Sequence, residues 1–147
     1  MDNIDAKILR ELESDGRVSN LQLAERVGLS PSACLRRVQV LEVEGIITGY
    51  RAVLDRAKLG SGLTIFVMVG LSGQLREDAQ AFERAMAAAA EVRECHNVTG
   101  SVEYLLRVEV ADLAAYKSFH SDTLGTLPQV NSITSHVCLG SSKDLRA

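Results

Sequence analysis

Residues 20–45, NLQLAERVGLSPSACLRRVQVLEVEG, decide how the chain is read. They divide into two short helices joined by a tight turn. Asn20 suits the N-cap of the first helix, because its side chain can accept the orphan backbone N–H groups of the opening turn. Leu21, Ala24 and Val27 mark the buried side, with Ala24 small enough for another helix to cross closely. Gly28 supplies the left-handed backbone needed to leave a helix abruptly, and Leu29 plugs the corner. Ser30 caps the next helix and Pro31 takes its first position, where a missing N–H costs nothing. On that helix Cys34, Val38 and Leu41 recur at i, i+4 and i+7 and face inward. At about 100° per residue, Ser32, Arg36, Gln39 and Val43 project the other way, with Arg37 on a flank.

Two helices across a capped, glycine-containing turn, the second presenting Ser, Arg and Gln outward, match the helix-turn-helix arrangement. Its second helix enters the major groove of double-stranded DNA. Arg and Gln can pair bidentately with guanine and adenine edges, while Ser30 and the helix N-terminus suit a phosphate. The DNA-binding set expected from the sequence is Arg17, Asn20, Ser30, Pro31, Ser32, Arg36, Arg37 and Gln39. An amphipathic helix with a solvated polar face is the competing reading. Capping, turn, small residue and charge in one register favour DNA.

Upstream, Asp2 or Asn3 can cap a first helix, with Asp5 in its favourable first turn. Ile4, Ile8, Leu9 and Leu12 form its apolar stripe, and Ser14-Asp15-Gly16 ends it. Arg17 follows in an exposed loop, placed either to reach a phosphate or to solubilise the turn.

The composition bounds the function. Apolar residues make up 46% and charged residues 24%, as in a soluble globular protein, and aromatics only 4% without Trp, so the core is aliphatic. No apolar run reaches membrane-spanning length, and the acidic, amphipathic N-terminus carries no signal-peptide pattern, so a cytoplasmic protein without a membrane partner is expected. Cys34, Cys95 and Cys138 are widely spaced and odd in number, which suggests reduced thiols. A net charge of −3 argues against indiscriminate nucleic-acid binding. Within residues 26–51 four arginines (Arg26, Arg36, Arg37, Arg51) stand against Glu42 and Glu44, a local balance of +2. That patch is modest, and pairing two copies would help it.

Gly45 ends the third helix, and Ile46 to Val53 reads as extended, a wing or a strand leading away. DRAKLGSG at residues 55–62 is polar, closed by Gly60-Ser61-Gly62, and linker-like. The expected organisation is a helix-turn-helix domain at residues 1–54, a linker at 55–62 and a second domain at 63–147. Leu63 to Leu71, LTIFVMVGL, carries Ile65, Val67 and Val69 on one pleat face and Phe66 and Met68 on the other. A strand apolar on both faces needs cover on both. Helices supply one cover, and a partner sheet in a homodimer supplies the other. Gln74 to Ala90 reads as a helix with Leu75, Ala79, Phe82, Met86 and Ala89 on one face. Val92 to Val98 is a strand, and Thr99-Gly100-Ser101 its turn. Tyr104 to Val110 returns with Tyr104, Leu106, Val108 and Val110 inward and Arg107 and Glu109 outward. Asp112 caps a helix with Leu113, Tyr116 and Leu124, and Val130 to Leu139 is the last strand. The fold class is therefore α+β, an N-terminal (winged) helix-turn-helix domain followed by a ferredoxin-like βαββαβ layer.

IDAKILRELESDGRVS and then LAERVGLSPSACLRRVQVLEVEGIITGY resemble the Lrp/AsnC (feast/famine) family of bacterial and archaeal transcription regulators. The resemblance rests on the opening Ile-Asp, Asp15-Gly16-Arg17, Gly28-Leu29-Ser30, Leu41-Glu42 and Gly45-Ile46 in order, and it extends through the second half. It implies that residues 63–147 form an effector and oligomerisation module whose sheets pair face to face in a dimer, with higher assembly often to octamers. It also implies a small effector, usually an amino acid, in a cleft near the turn Thr99, Gly100, Ser101, Val102, Glu103, Tyr104. Gly100 would permit close backbone approach, Glu103 or Asp122 would hold an α-ammonium group, and Thr134 and His136 would line the same cleft.

No catalytic pattern is visible. Cys95 and His96 are adjacent on a strand and point to opposite faces. His136 and Cys138 share a face but lack two further ligands for a metal. No cofactor is expected. Two functions remain: a sequence-specific DNA-binding regulator responsive to a small effector, and an amino-acid-sensing or oligomerising module with weak or no specific DNA binding.

Overall fold

The computed structural model describes residues 1–73 and 75–145. Gln74, expected to open a helix, and Arg146 and Ala147, at the end of the expected second domain, lie outside the described residues. The chain forms two compact units, Met1–Val53 and Leu54–Ala147.

The first unit holds α1 (Asn3–Ser14), α2 (Asn20–Val27) and α3 (Pro31–Val43). Asp2 caps α1 in a capping box with Asp5, and Ser30 caps α3 through Ala33 N–H. The cap of α2 is Ser19, which accepts from Gln22 N–H, and Asn20 is already the first helical residue. Both glycines close their helices in one way. At Gly28 (φ 76°), Leu29 N–H donates to Ala24 and Gly28 N–H to Glu25; at Gly45 (φ 73°), Ile46 N–H donates to Leu41 and Gly45 N–H to Glu42. These paired bonds are the Schellman closure, which a residue with a β-carbon enters only under strain.

Ile8, Leu23, Ala24, Val27, Cys34 and Leu41 are buried together, with Val38, Leu29 and Ile47 packed on them. Leu21, expected inside, is 61% exposed, and Leu23 takes its place. Positions spaced by three drift about 60° around a helix at each step, so Leu21 and Val27 cannot share a face. Leu23, Ala24 and Val27 can. A cap is worth about 1 kcal/mol and a fully buried Leu or Ile about 1.5–3 kcal/mol. The core therefore selects the fold, and the caps set its boundaries. The extended segment expected at residues 46–53 is not a ladder strand. Its first residues fold back on α3, where Ile46 and Ile47 N–H both donate to the Leu41 carbonyl.

The second unit holds β1 (Leu63–Leu71), α4 (Arg76–Ala88), β2 (Val92–Asn97), β3 (Tyr104–Val110), α5 (Leu113–Phe119) and β4 (Val130–Val137). A π-helical turn, His120–Leu124, continues α5. The strands form one antiparallel sheet in the order β2-β3-β1-β4, the ferredoxin-like topology. Ile65, Val67, Val69, Tyr104, Leu106 and Val108 face the helices and bury Phe82, Met86, Tyr116, Phe119 and Leu124. Leu75 and Leu113, expected on helix core faces, are exposed, and Leu139 lies beyond the end of β4 in solvent. The opposite sheet face carries Phe66 and Met68 of β1, paired in register with Arg107 and Leu105 of β3 and with His136 and Thr134 of β4.

Candidate nucleic-acid interface and effector turn

α3 starts from a fixed corner. Asn20 Nδ2 donates to the Pro31 carbonyl at 2.8 Å and so ties the start of α2 to that of α3. Ser30 Oγ accepts Ala33 N–H and lies 3.4 Å from Ser32 Oγ. Beyond this cap Ser32, Arg36 and Gln39 are exposed at i, i+4 and i+7. Seven residues of helix span about 10 Å, so the three share one stripe that a major groove about 12 Å wide can admit. Among the described residues, no carboxylate forms an ion pair with Arg36.

Arg37 has a different role. Its Nη1 lies 2.9 and 2.8 Å from the two carboxylate oxygens of Asp2 and 2.9 Å from Asp5 Oδ1. Donating these hydrogen bonds to Asp2 and Asp5 raises the Arg37 pKa further. Asp5 N–H and then Arg37 hold the Asp2 carboxyl down to about 2. Arg26 similarly pairs with Glu11 at 3.1 Å. The positive balance counted over residues 26–51 is thus offset by Asp2, Asp5 and Glu11 of the first helix, all outside that window. Arg17 stays in an exposed loop, its backbone N–H donating to Asp15 Oδ1 at 3.0 Å.

The turn between β2 and β3 is closed by Val98 N–H donating to the Glu103 carbonyl at 2.9 Å. Thr99, Gly100 and Ser101 are exposed, and Gly100 adopts φ 118°, a backbone that favours glycine. Glu103 and Tyr104, both of the expected effector set, have partners within the domain. The Glu103 carboxylate accepts Leu71 N–H at 2.8 Å and so holds the end of β1. Tyr104 is 1% exposed and packs its ring 4.6 Å from that of Phe82. Burial, then Glu83, pushes its hydroxyl pKa up. Tyr104 pairs with Val69 on the helix side, whereas Thr134 pairs with Met68 on the other. Within one chain the Tyr104 side chain therefore cannot line a cleft with Thr134 and His136, because the sheet separates them. Asp122 is exposed on the π-helical turn.

Cys95 and His96 diverge in the same way, Cys95 opposite Leu106 and His96 opposite Leu105, with His96 Nε2 3.3 Å from Glu94. Burial pushes the Cys34 and Cys95 thiols up, away from reactive thiolates. Among the described residues, no group of three or more His, Cys, Asp and Glu is placed to hold a metal ion, and no helix is long and apolar enough to cross a membrane.

The sequence reading missed the acidic partners of Arg37, which lie 35 and 32 residues away. It also missed a charged cluster on the open sheet face. There Arg107 lies 3.1 Å from Glu109, 3.8 Å from Glu94 and 3.1 Å from Asp144, with its guanidinium 5.7 Å from the Phe66 ring centre. The alternation Arg107-Val108-Glu109 was the available signal, since it puts opposite charges on one face two residues apart.

Two family profiles match the chain, winged helix-turn-helix DNA-binding over residues 1–48 and Lrp/AsnC ligand binding domain over residues 64–147. The leucine-responsive regulatory protein of Escherichia coli K12 is 42% identical over 139 residues, 95% of this chain and 85% of that one. A transcriptional regulator of Neisseria meningitidis, solved as a complex with L-methionine, has a TM-score of 0.94 at 35% identity, covering 98% of this chain and 93% of that one. An AsnC family regulator of Agrobacterium tumefaciens has a TM-score of 0.92 at 34% identity, covering 98% and 94%. Both halves match in order and nearly over their whole length, and the chain belongs to the Lrp/AsnC family of transcriptional regulators, DNA-binding proteins that respond to an effector and are not enzymes.

Proposed function

We propose that this regulator reads DNA with the α3 stripe and senses an amino acid, acting in the cytoplasm as a homodimer or a higher assembly. The observation that carries the reading is the exposed stripe Ser32, Arg36 and Gln39 behind a corner fixed by Ser30, Gly28 and Asn20. Ser30 and Pro31 at the helix start meet a phosphate, and Arg17 a neighbouring one. The reading unit is residues 1–54, joined through residues 55–62 to an effector and assembly domain at residues 63–147.

The L-methionine complex of the Neisseria regulator and the leucine-responsive relative support an amino acid as the effector class. Its seat is the exposed turn Thr99 to Val102, where backbone N–H groups can take a carboxylate. Asp122 holds the α-ammonium group, and Thr134 and His136 line the same cleft. The half-buried Phe66, Met68 and Leu105 support pairing through the open sheet face. Pairing presents two stripes to one DNA, which offsets the weak local charge.

The test is a thermal-shift screen of the twenty amino acids, followed by selection of DNA from a random pool with and without the hit. An effector at a hundred times its Kd stabilises by about 2.7 kcal/mol, which is readily seen. If no amino acid raises the melting temperature, the effector class falls. If no sequence is enriched, the reading function of α3 falls.

A further inference from the structure

Two adjacent arginines on one reading helix would ordinarily be assigned one role, and the structure separates them. Arg36 projects from the exposed stripe. Arg37 turns back, and one of its nitrogens makes three hydrogen bonds to Asp2 and Asp5, which also form the capping box of α1. The same two carboxylates therefore start the first helix and hold the third. A phosphate approaching Arg37 would meet two carboxylates for one guanidinium, a net negative locality that disfavours DNA.

We propose that Arg37 is a positioning residue that fixes the α1 start against the reading helix, and that Arg36 alone of this pair contacts DNA. This inference rests on α3 being the DNA-reading helix. The groove beside the clamp fits the assignment. It is lined by Met1, Asp5, Arg36, Arg37, Val40 and Leu41, so a shift at the α1 start is felt directly under Arg36.

The salt dependence of binding separates the two roles. A phosphate contact contributes about 0.9 to the slope of log affinity against log salt, whereas a residue acting through α1 contributes none. The experiment uses the full-length protein and a DNA fragment enriched by the wild type from a random pool. Arg36→Gln is expected to cost about tenfold in affinity for the enriched fragment and to relax its sequence preference, as loss of a bidentate base contact does. Arg37→Gln is expected to leave the slope unchanged, to cost several-fold in affinity for the enriched fragment, and to leave affinity for unrelated DNA unaltered. Arg37→Lys, which keeps the charge but not the fork, recovers only part of the loss. Asp5→Asn and Arg37→Gln should each lower the melting temperature, and together no more than the larger single effect.

A fall of about one in the slope with Arg37→Gln overturns the positioning role and makes Arg37 a phosphate contact. Unchanged affinity for the enriched fragment with Arg37→Gln overturns it as well. If Arg36→Gln also changes nothing, the assignment of α3 as the reading helix falls with it.

Discussion

The Glu103 carboxylate accepts the Leu71 backbone N–H at 2.8 Å, and Glu103 N–H donates to the Val69 carbonyl at 3.2 Å. One residue of the β2–β3 turn thereby completes the end of β1, where the pairing with β4 slips between Gly70 and Leu71. On the β3 side the ladder ends at Val69↔Tyr104, so the Leu71 N–H lies beyond its last pair, and the Glu103 side chain supplies the acceptor. Glu103→Ala strands the Leu71 N–H beside a buried side chain and should cost about 1–3 kcal/mol. Glu103→Gln keeps an acceptor and should cost less than half of that. Urea unfolding of the two variants checks the order; equal losses would mean that the charge, not the acceptor, matters.

Tyr104 gives a contrasting expectation. Its ring fills the core against Phe82, while its hydroxyl is buried without a hydrogen bond of normal geometry. Removing a buried hydroxyl that no hydrogen bond of normal geometry satisfies recovers a desolvation cost. Tyr104→Phe should leave the melting temperature unchanged or raise it, whereas Phe82→Ala should cost about 3–5 kcal/mol. A clear destabilisation by Tyr104→Phe would show that the hydroxyl has a partner in solution.

Assembly through the open sheet face makes Met68 sensitive to charge. Met68 lies between Leu105 and Thr134 on that face, half-buried in the single chain. A carboxylate there is tolerable in a monomer and very costly under a second sheet. Met68→Glu should sediment as a folded monomer with an unchanged far-ultraviolet spectrum and bind DNA more weakly than wild type. Wild-type sedimentation would move the pairing surface elsewhere.

Much of this was readable because local rules agreed with one another. Gly28, Ser30 and Pro31 mark a helix-turn-helix corner by backbone chemistry alone, and strict alternation places Tyr104, Leu106 and Val108 inward. The same alternation puts the Tyr104 side chain in the core, where the structure has it. Leu21 misled because spacing by three imitates a helical face over one turn and then drifts off it. Residues 46–53 misled because β-branched composition favours a strand without supplying a neighbouring one to pair with. The Arg37 clamp was illegible in principle: Asp2 reads as a cap and Asp5 as a first-turn carboxylate, and nothing local shows which distant cation such a carboxylate also holds.

That clamp has a pH signature. The Asp2 carboxyl is lowered from 3.8 to about 2, first by the Asp5 N–H and then by Arg37. A group depressed in the folded state contributes stability above its unfolded pKa and loses it as pH falls through the folded one. The Asp2 contribution is therefore complete above about pH 5 and disappears between about pH 4 and pH 2. The stability difference between wild type and Asp2→Asn should be flat from neutral pH to about 5 and shrink below about 4. Carbon-detected NMR titration of the Asp2 carboxyl reads the same quantity directly. In Arg37→Gln the Asp2 midpoint should rise, but not to 3.8, because the Asp5 N–H bond is the larger cause and remains. An unmoved midpoint in that variant would mean that the Arg37 contact does not persist in solution.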